Sequence, residues 1–200
     1  MIKNSLTCHT RTASSVIKSV TVKFEAIPEG GLRVNFQLYG QLALLRIPRP
    51  QPALSCDGLS KHTCFEVFVA AEGNSGYYEF NFSPSGQWAA YAFSHYRSPG
   101  KWTFNQKPYS RVIRTENHLF LEATIPGADL PPNISGKPLL LGLTAVLETT
   151  NGSRSYWALH HPSHRPDFHH RAGFACILNT RNSNKFPIIK KDSALIPESA

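Results

Sequence analysis

The chain has 200 residues and a formal net charge of +8, with 15 prolines and 13 glycines. That length suits one domain that buries its own core, and the Pro and Gly content suits many short strands and turns better than long helices. No run is apolar for long enough to cross a membrane, and the basic residues are scattered rather than gathered in a stripe, so neither a membrane span nor a nucleic-acid partner is expected; the surplus charge weakly favours anionic ligands.

The opening MIKNSLTCHTRTASSVIKSV lacks an apolar stretch of signal-peptide length, so a cytoplasmic protein with reduced cysteines is expected. Cys8, Cys56, Cys64 and Cys176 form no C-x-x-C pair. Cys64 and Cys176 read as small buried hydrophobes. Residues 1–17 read as an irregular arm, 18–179 as the folded domain, and 180–200 as a polar tail.

Strands begin with SVTVKFEAI, whose Val20, Val22, Phe24 and Ala26 face inward. After the turn Pro28–Gly31, LRVNFQLYG alternates as cleanly, which makes a hairpin. ALLRIP reads as a short strand, and PRPQPALSCDG as a proline-punctuated loop. The stretch from Leu59 to Arg97 follows. In HTCFEVFV, His62, Cys64, Glu66 and Phe68 share one face; in YYEFNFS, Tyr77, Glu79, Asn81 and Ser83 do. A four-residue loop, Glu72 to Ser75, sets Phe68 opposite Glu79 and Glu66 opposite Asn81. That register separates polar from apolar residues, and a one-residue slip would mix them. WAAYAF is a third strand, with Ala89, Tyr91 and Phe93 alternating with Trp88, Ala90 and Ala92.

Further on, SRVIRTENHLFLEATIP reads as two strands around Glu116–Asn117, and GADLPPNISGKP as a loop with one helical turn. LLLGLTAVLETT is a buried strand, TTNGS a turn, RSYWALHHP its partner, and GFACIL a last strand. The sum is an all-β, single-domain antiparallel β-sandwich, jelly-roll-like, of roughly nine to eleven strands with little helix.

Two carboxylates in mid-strand, where Glu is depleted, stand beside Tyr, Trp, Asn and Arg, residue types that line clefts for polar ligands. Five of the nine histidines lie in HHPSHRPDFHH. His160 and His164 have helical metal-pair spacing, but Pro162 and Pro166 disfavour a helix there. His62 and Cys64 share a face but stand too far apart along one strand for a good nucleophile–base pair. Glu66 and Glu79 also suggest a glycosidase-like pair, although nothing in the sequence sets their separation.

The runs DGLSKHTCFEVFV…GYYEFNFSPSGQWAAYAFSHYR and YWALHHPSHRPDFHHRAGFACIL resemble the bacterial DOMON-like domain proteins, over about residues 18–179. These are relatives of family 9 carbohydrate-binding modules and of haem-binding DOMON domains. The resemblance implies a β-sandwich that binds a sugar or a haem through one sheet, and implies no reaction. Carried over position by position, its motif residues are His62, Cys64, Glu66, Glu79, Asn81, Ser83, Pro84, Trp88, Tyr91, Tyr96, Arg97, His161, Pro166, Asp167, Phe168 and His169. Ser60 departs from the pattern, standing where an aromatic residue, typically Trp, is expected.

The favoured reading is a non-enzymatic module for a saccharide or other small polar ligand. Glu66, Glu79 and Asn81 would supply hydrogen bonds, Trp88, Tyr91 and Trp157 aromatic platforms, and Arg97 an anchor for an anionic group. His62, His161, Asp167 and His169 complete the candidate set. No cofactor is required by that reading. The alternative is a b-type haem electron-transfer domain with His161 and His169 as axial ligands and His62 third. A more distant one is metal-assisted hydrolysis, with the histidine loop folded over the Glu66/Glu79 face.

Overall fold

The structure, a computed structural model, describes residues 3–28, 30–103, 105–131, 137–179 and the backbone of 188–189. Phe104, part of the expected GADLPPNISGKP loop and nearly all of the expected tail lie outside these. The elements are β1 Asn4–Cys8, β2 Ile17–Ala26, β3 Leu32–Gly40, β4 Cys64–Ala71, β5 Tyr77–Phe82, β6 Trp88–His95, β7 Ser98–Pro99, β8 Tyr109–Arg114, β9 His118–Ile125, β10 Leu139–Glu148, β11 Arg154–Ala158, β12 Cys176–Leu178 and β13 Ile188–Ile189. The only helical pieces among the described residues are three-residue 3-10 turns, and none of these is long or apolar enough to cross a membrane.

The strands form two antiparallel sheets. The first runs β1-β2-β3-β9-β8; the second runs β7-β6-β5-β4-β10-β11, with β12 also on β10 and β13 on β12. They are joined at β1. Its first half pairs with β2 (Leu6 opposite Val20), and its second half crosses to β11 (Cys8 opposite Trp157). An irregular arm was expected here. NSLTC is too short for its alternation to stand out, and it is held as a strand by two partners remote in sequence.

Alternation decides what lies between the sheets. Val20, Val22, Phe24, Val34, Phe36 and Leu38 of the first sheet meet Phe65, Val67, Val69, Phe80 and Phe82 of the second in one buried core. Phe36 and Phe65 touch across the gap with ring centroids 5.1 Å apart. Each fully buried Phe or Leu there contributes roughly 1.5–3 kcal/mol. Cys64 and Cys176 are buried as expected. ALLRIP is not a strand: Leu42–Leu44 form a 3-10 turn, and only Leu45 bridges, to Thr149, before Pro48 and Pro50 end any pairing.

β10 is the pivot of the second sheet. Leu139, Leu141, Leu143, Ala145 and Leu147 face the core, while Leu140, Gly142, Thr144, Val146 and Glu148 face outward and are buried too. A strand buried on its outer face needs a cover, and here the cover is the segment between β11 and β12. Phe174 packs on Phe68 and Tyr77, with centroids 5.6 Å from each. Gly142 makes the fit possible, because a Cβ there would stand 2.9 Å from Cδ1 of Phe174.

Candidate ligand-binding site

The β4–β5 hairpin adopts the expected register, with Glu66 opposite Asn81 and Phe68 opposite Glu79; β6 adds Tyr91 opposite Glu79. The two glutamates are therefore diagonal neighbours on the outer face of the second sheet. Much of that face is covered. The segment from Pro166 to His169 lies over it and leaves a partly open cavity of about 170 Å³, with Glu66, Glu79, Arg97, Tyr156, Phe168 and His169 among its walls. Glu66 is only 3% exposed and Glu79 only 6%.

Burial above all, then the nearby charge of Glu79, pushes the Glu66 carboxyl well above the usual carboxylate range. Glu79 is also pushed up by burial, against the pull of the Asn81 amide and the Arg97 charge. Thr144 donates its hydroxyl to Glu66 Oε2 at 3.3 Å, and Asn81 donates Nδ2–H to Glu79 Oε1 at 2.8 Å. Two carboxyls close together on a buried face do not both ionise readily, and burial weighs most on Glu66.

A second network fixes the opposite wall. Tyr77 Oη accepts the Arg97 backbone N–H at 3.0 Å, so its own proton points to His169 Nδ1, 2.9 Å away. That places the imidazole hydrogen on Nε2, which faces Glu79 Oε2 at 3.7 Å. Burial, helped by the Arg97 charge, lowers the His169 pKa to about 4, so the ring is neutral near pH 7. The guanidinium of Arg97 donates to Asp167 Oδ1 at 3.0 Å, and Tyr96 donates to Asp167 Oδ2 at 2.8 Å. Burial alone would raise the Asp167 pKa, but these bonds hold it below the ordinary value. Arg97 itself has φ of 53°, the one described non-glycine residue in the left-handed region. This local strain turns its side chain back over the sheet.

Two solved structures share this architecture. One is a candidate carbohydrate-binding protein from Bacteroides uniformis, with a TM-score of 0.61 and 15% identity over 86% of this chain and 84% of that one. The other is a family 9 carbohydrate-binding module from Caldicellulosiruptor kristjanssonii in complex with cellotriose, with a TM-score of 0.54 and 13% identity over 100% of this chain and 88% of that one. The fold is CBM9-like. No family model and no curated protein matches the chain. At such identities the similarity shows the fold, and the site must be argued from its own residues.

Of the residues expected at a site on this CBM9-like sandwich, Glu66, Glu79, Arg97 and His169 line one cavity, with Asn81 and Asp167 bonded to them. The two tryptophans are placed otherwise. Trp88 (5% exposed) and Trp157 (7%) belong to the core between the sheets and offer no ring to this face. For Trp88 the alternation with Tyr91 already required this. Tyr91 does share the face with Glu79, but it lies outside the cavity and donates its hydroxyl to Asp57 at 2.9 Å. His62 pairs with Glu148 at 2.7 Å, farther along the sheet, beyond the cavity walls.

His161 is also elsewhere. Its Nε2 bonds the Thr7 carbonyl oxygen at 2.9 Å, and its ring packs edge-on against His9. His170 caps the 3-10 turn that follows it. The histidines thus mostly brace the loop. His161 and His169 each have partners of their own, and the cavity is far too small for a porphyrin, so they do not frame a haem slot. Among the described residues, no group of three or more His, Cys, Asp or Glu side chains is gathered around a metal-sized space. Cys64 is no nucleophile here: burial first, then the two glutamates, pushes its thiol well up, and His62 is turned to Glu148.

Tyr77, Thr144 and Tyr156 shape the site but were not expected in it. Tyr77 could have been found, since it shares the Glu79 face; Thr144 and Tyr156 reach the site only through pairing across the sheet. Ser60 lies in the cavity wall, so the small side chain at the position of an expected aromatic leaves that side of the pocket open.

Proposed function

We propose that this protein is a non-enzymatic binding module for a saccharide, held as a single sugar unit in the cavity over Glu66 and Glu79. The observation that carries the reading is the pairing of a buried polar floor, Glu66, Glu79 and Asn81, with the rings of Tyr156 and Phe168 in one small pocket on a sheet face. Sugar hydroxyls match such acceptors, and sugar C–H faces match such rings. One further fact agrees: the architecture is shared with a module whose structure was solved in complex with cellotriose.

A glycan-array or calorimetric screen of the purified protein tests this, with Glu79→Ala as control. Binding of a sugar that weakens at least tenfold in the folded variant is expected, because a charged hydrogen-bond partner contributes roughly 1.5–3 kcal/mol. A dissociation constant unchanged by Glu79→Ala would place the ligand elsewhere.

A further inference from the structure

The pocket floor is rich in hydrogen-bond acceptors and poor in donors. Among the described residues, the polar group beside Glu79 Oε2 is the distant His169 Nε2, at 3.7 Å. Asn81, 1% exposed, spends its Nδ2–H on Glu79, and its Oδ1 has no partner among the described residues. Asn81 stands opposite Glu66 in the ladder and bonds Glu79, so its side chain lies on the same sheet face as the two carboxyls.

Charge is unbalanced in the same direction. Among the described residues that line the pocket, the carboxyls of Glu66 and Glu79 face one permanent cation, Arg97, whose guanidinium is engaged by Asp167 and Tyr96. His169 carries no charge near pH 7, and Cys64, on the same strand face, keeps its proton. What is missing is a compact cation with several donors.

Building on the saccharide reading, we infer that the preferred ligand is an amino sugar whose protonated amine sits among Glu66, Glu79 and the free oxygen of Asn81. An ammonium group offers three donors and no acceptor, which is the complement of this floor. A hydroxyl in the same place adds no charge and presents its own lone pairs to the carboxyls. Charge-assisted bonds on a desolvated face are the strong kind. The chain's net charge of +8 acts mostly from beyond a screening length of about 10 Å, so the local acidic pair decides. An ammonium beside Glu66 also works against the upward push of burial on its carboxyl, so any proton held there is released to solvent on binding.

Calorimetry at pH 7 in two buffers of different ionisation heat tests this on the intact protein. The ligands are glucose, galactose and mannose, their 2-amino and 2-acetamido counterparts, and ethanolamine as an amine without a ring. An amino hexose should bind at least tenfold more tightly than its parent hexose, with release of up to one proton. In Glu79→Gln, checked for folding by circular dichroism, that preference should collapse towards unity. A hexose bound as tightly as its amino counterpart overturns the amine inference and leaves the saccharide reading standing, as does a preference that survives Glu79→Gln. Ethanolamine bound where no sugar binds upholds the amine site and overturns the saccharide reading. Binding of none of these overturns both.

Discussion

Replacing Glu66 by glutamine is expected to flatten the pH dependence of stability and to make the protein more stable near neutral pH. Glu66 lies in the second sheet with almost no access to water, and burial followed by the Glu79 charge raises its pKa well above 4.5. In the unfolded chain the carboxyl loses its proton near the ordinary value. Between those two values the folded state holds a proton that the unfolded state has released, so stability falls as pH rises. The slope for one such group is about 1.4 kcal/mol per pH unit, beginning near 4.5 and ending at the folded value. For a chain of this size that corresponds to roughly 3–6 °C in Tm per pH unit.

Glutamine has the same shape, still accepts from Thr144, and has no proton to lose, so its profile lacks that slope. His169 contributes with the opposite sign. Its folded pKa of about 4 lies below the ordinary 6.5, so its share of stability is present above 6.5 and is lost as pH falls towards 4. Subtracting the variant's profile from the wild type's cancels this part. The assay is thermal or urea unfolding at half-unit steps from pH 4 to 8. Parallel profiles for the two proteins, or a variant weaker by a constant amount at every pH, would refute the reasoning.

Truncating Trp88 or Trp157 to alanine should cost roughly 3–5 kcal/mol in urea unfolding, as for large aromatics in a core, while ligand affinity of the remaining folded protein stays unchanged; a selective loss of affinity would put those rings back in the site. The His169 imidazole should hold its neutral, Nε2-protonated form down to about pH 4 in a nitrogen-detected NMR titration, and a midpoint near 6.5 would contradict the Tyr77–His169–Glu79 arrangement.

The alternation in HTCFEVFV and YYEFNFS, together with the short loop between them, was enough to place Glu66, Glu79 and Asn81 on one face in the right register. A period of two leaves only one register that keeps charge out of the core. The same rule, applied strictly, separates Trp88 from Tyr91 and removes Trp88 from the site. Trp157 was harder to place, because its strand has few residues and both of its faces are covered. The β1 strand escaped notice because Asn4–Cys8 carries hardly one full alternation and depends on partners at Val20–Val22 and Trp157–Ala158.

Local pattern thus determined the all-β class, the hairpins and the acidic floor, because those follow from side-chain periodicity and turn chemistry alone. The tertiary structure decided that this floor is a largely buried pocket rather than an open sheet face. That outcome depends on Phe174 seating over Gly142, on the Pro166–His169 segment folding across β4 and β5, and on the left-handed backbone at Arg97. Each is a contact between residues far apart in the chain, and no repeat or spacing announces it. Burial under that cover is what raises the two carboxyls and keeps His169 neutral near pH 7.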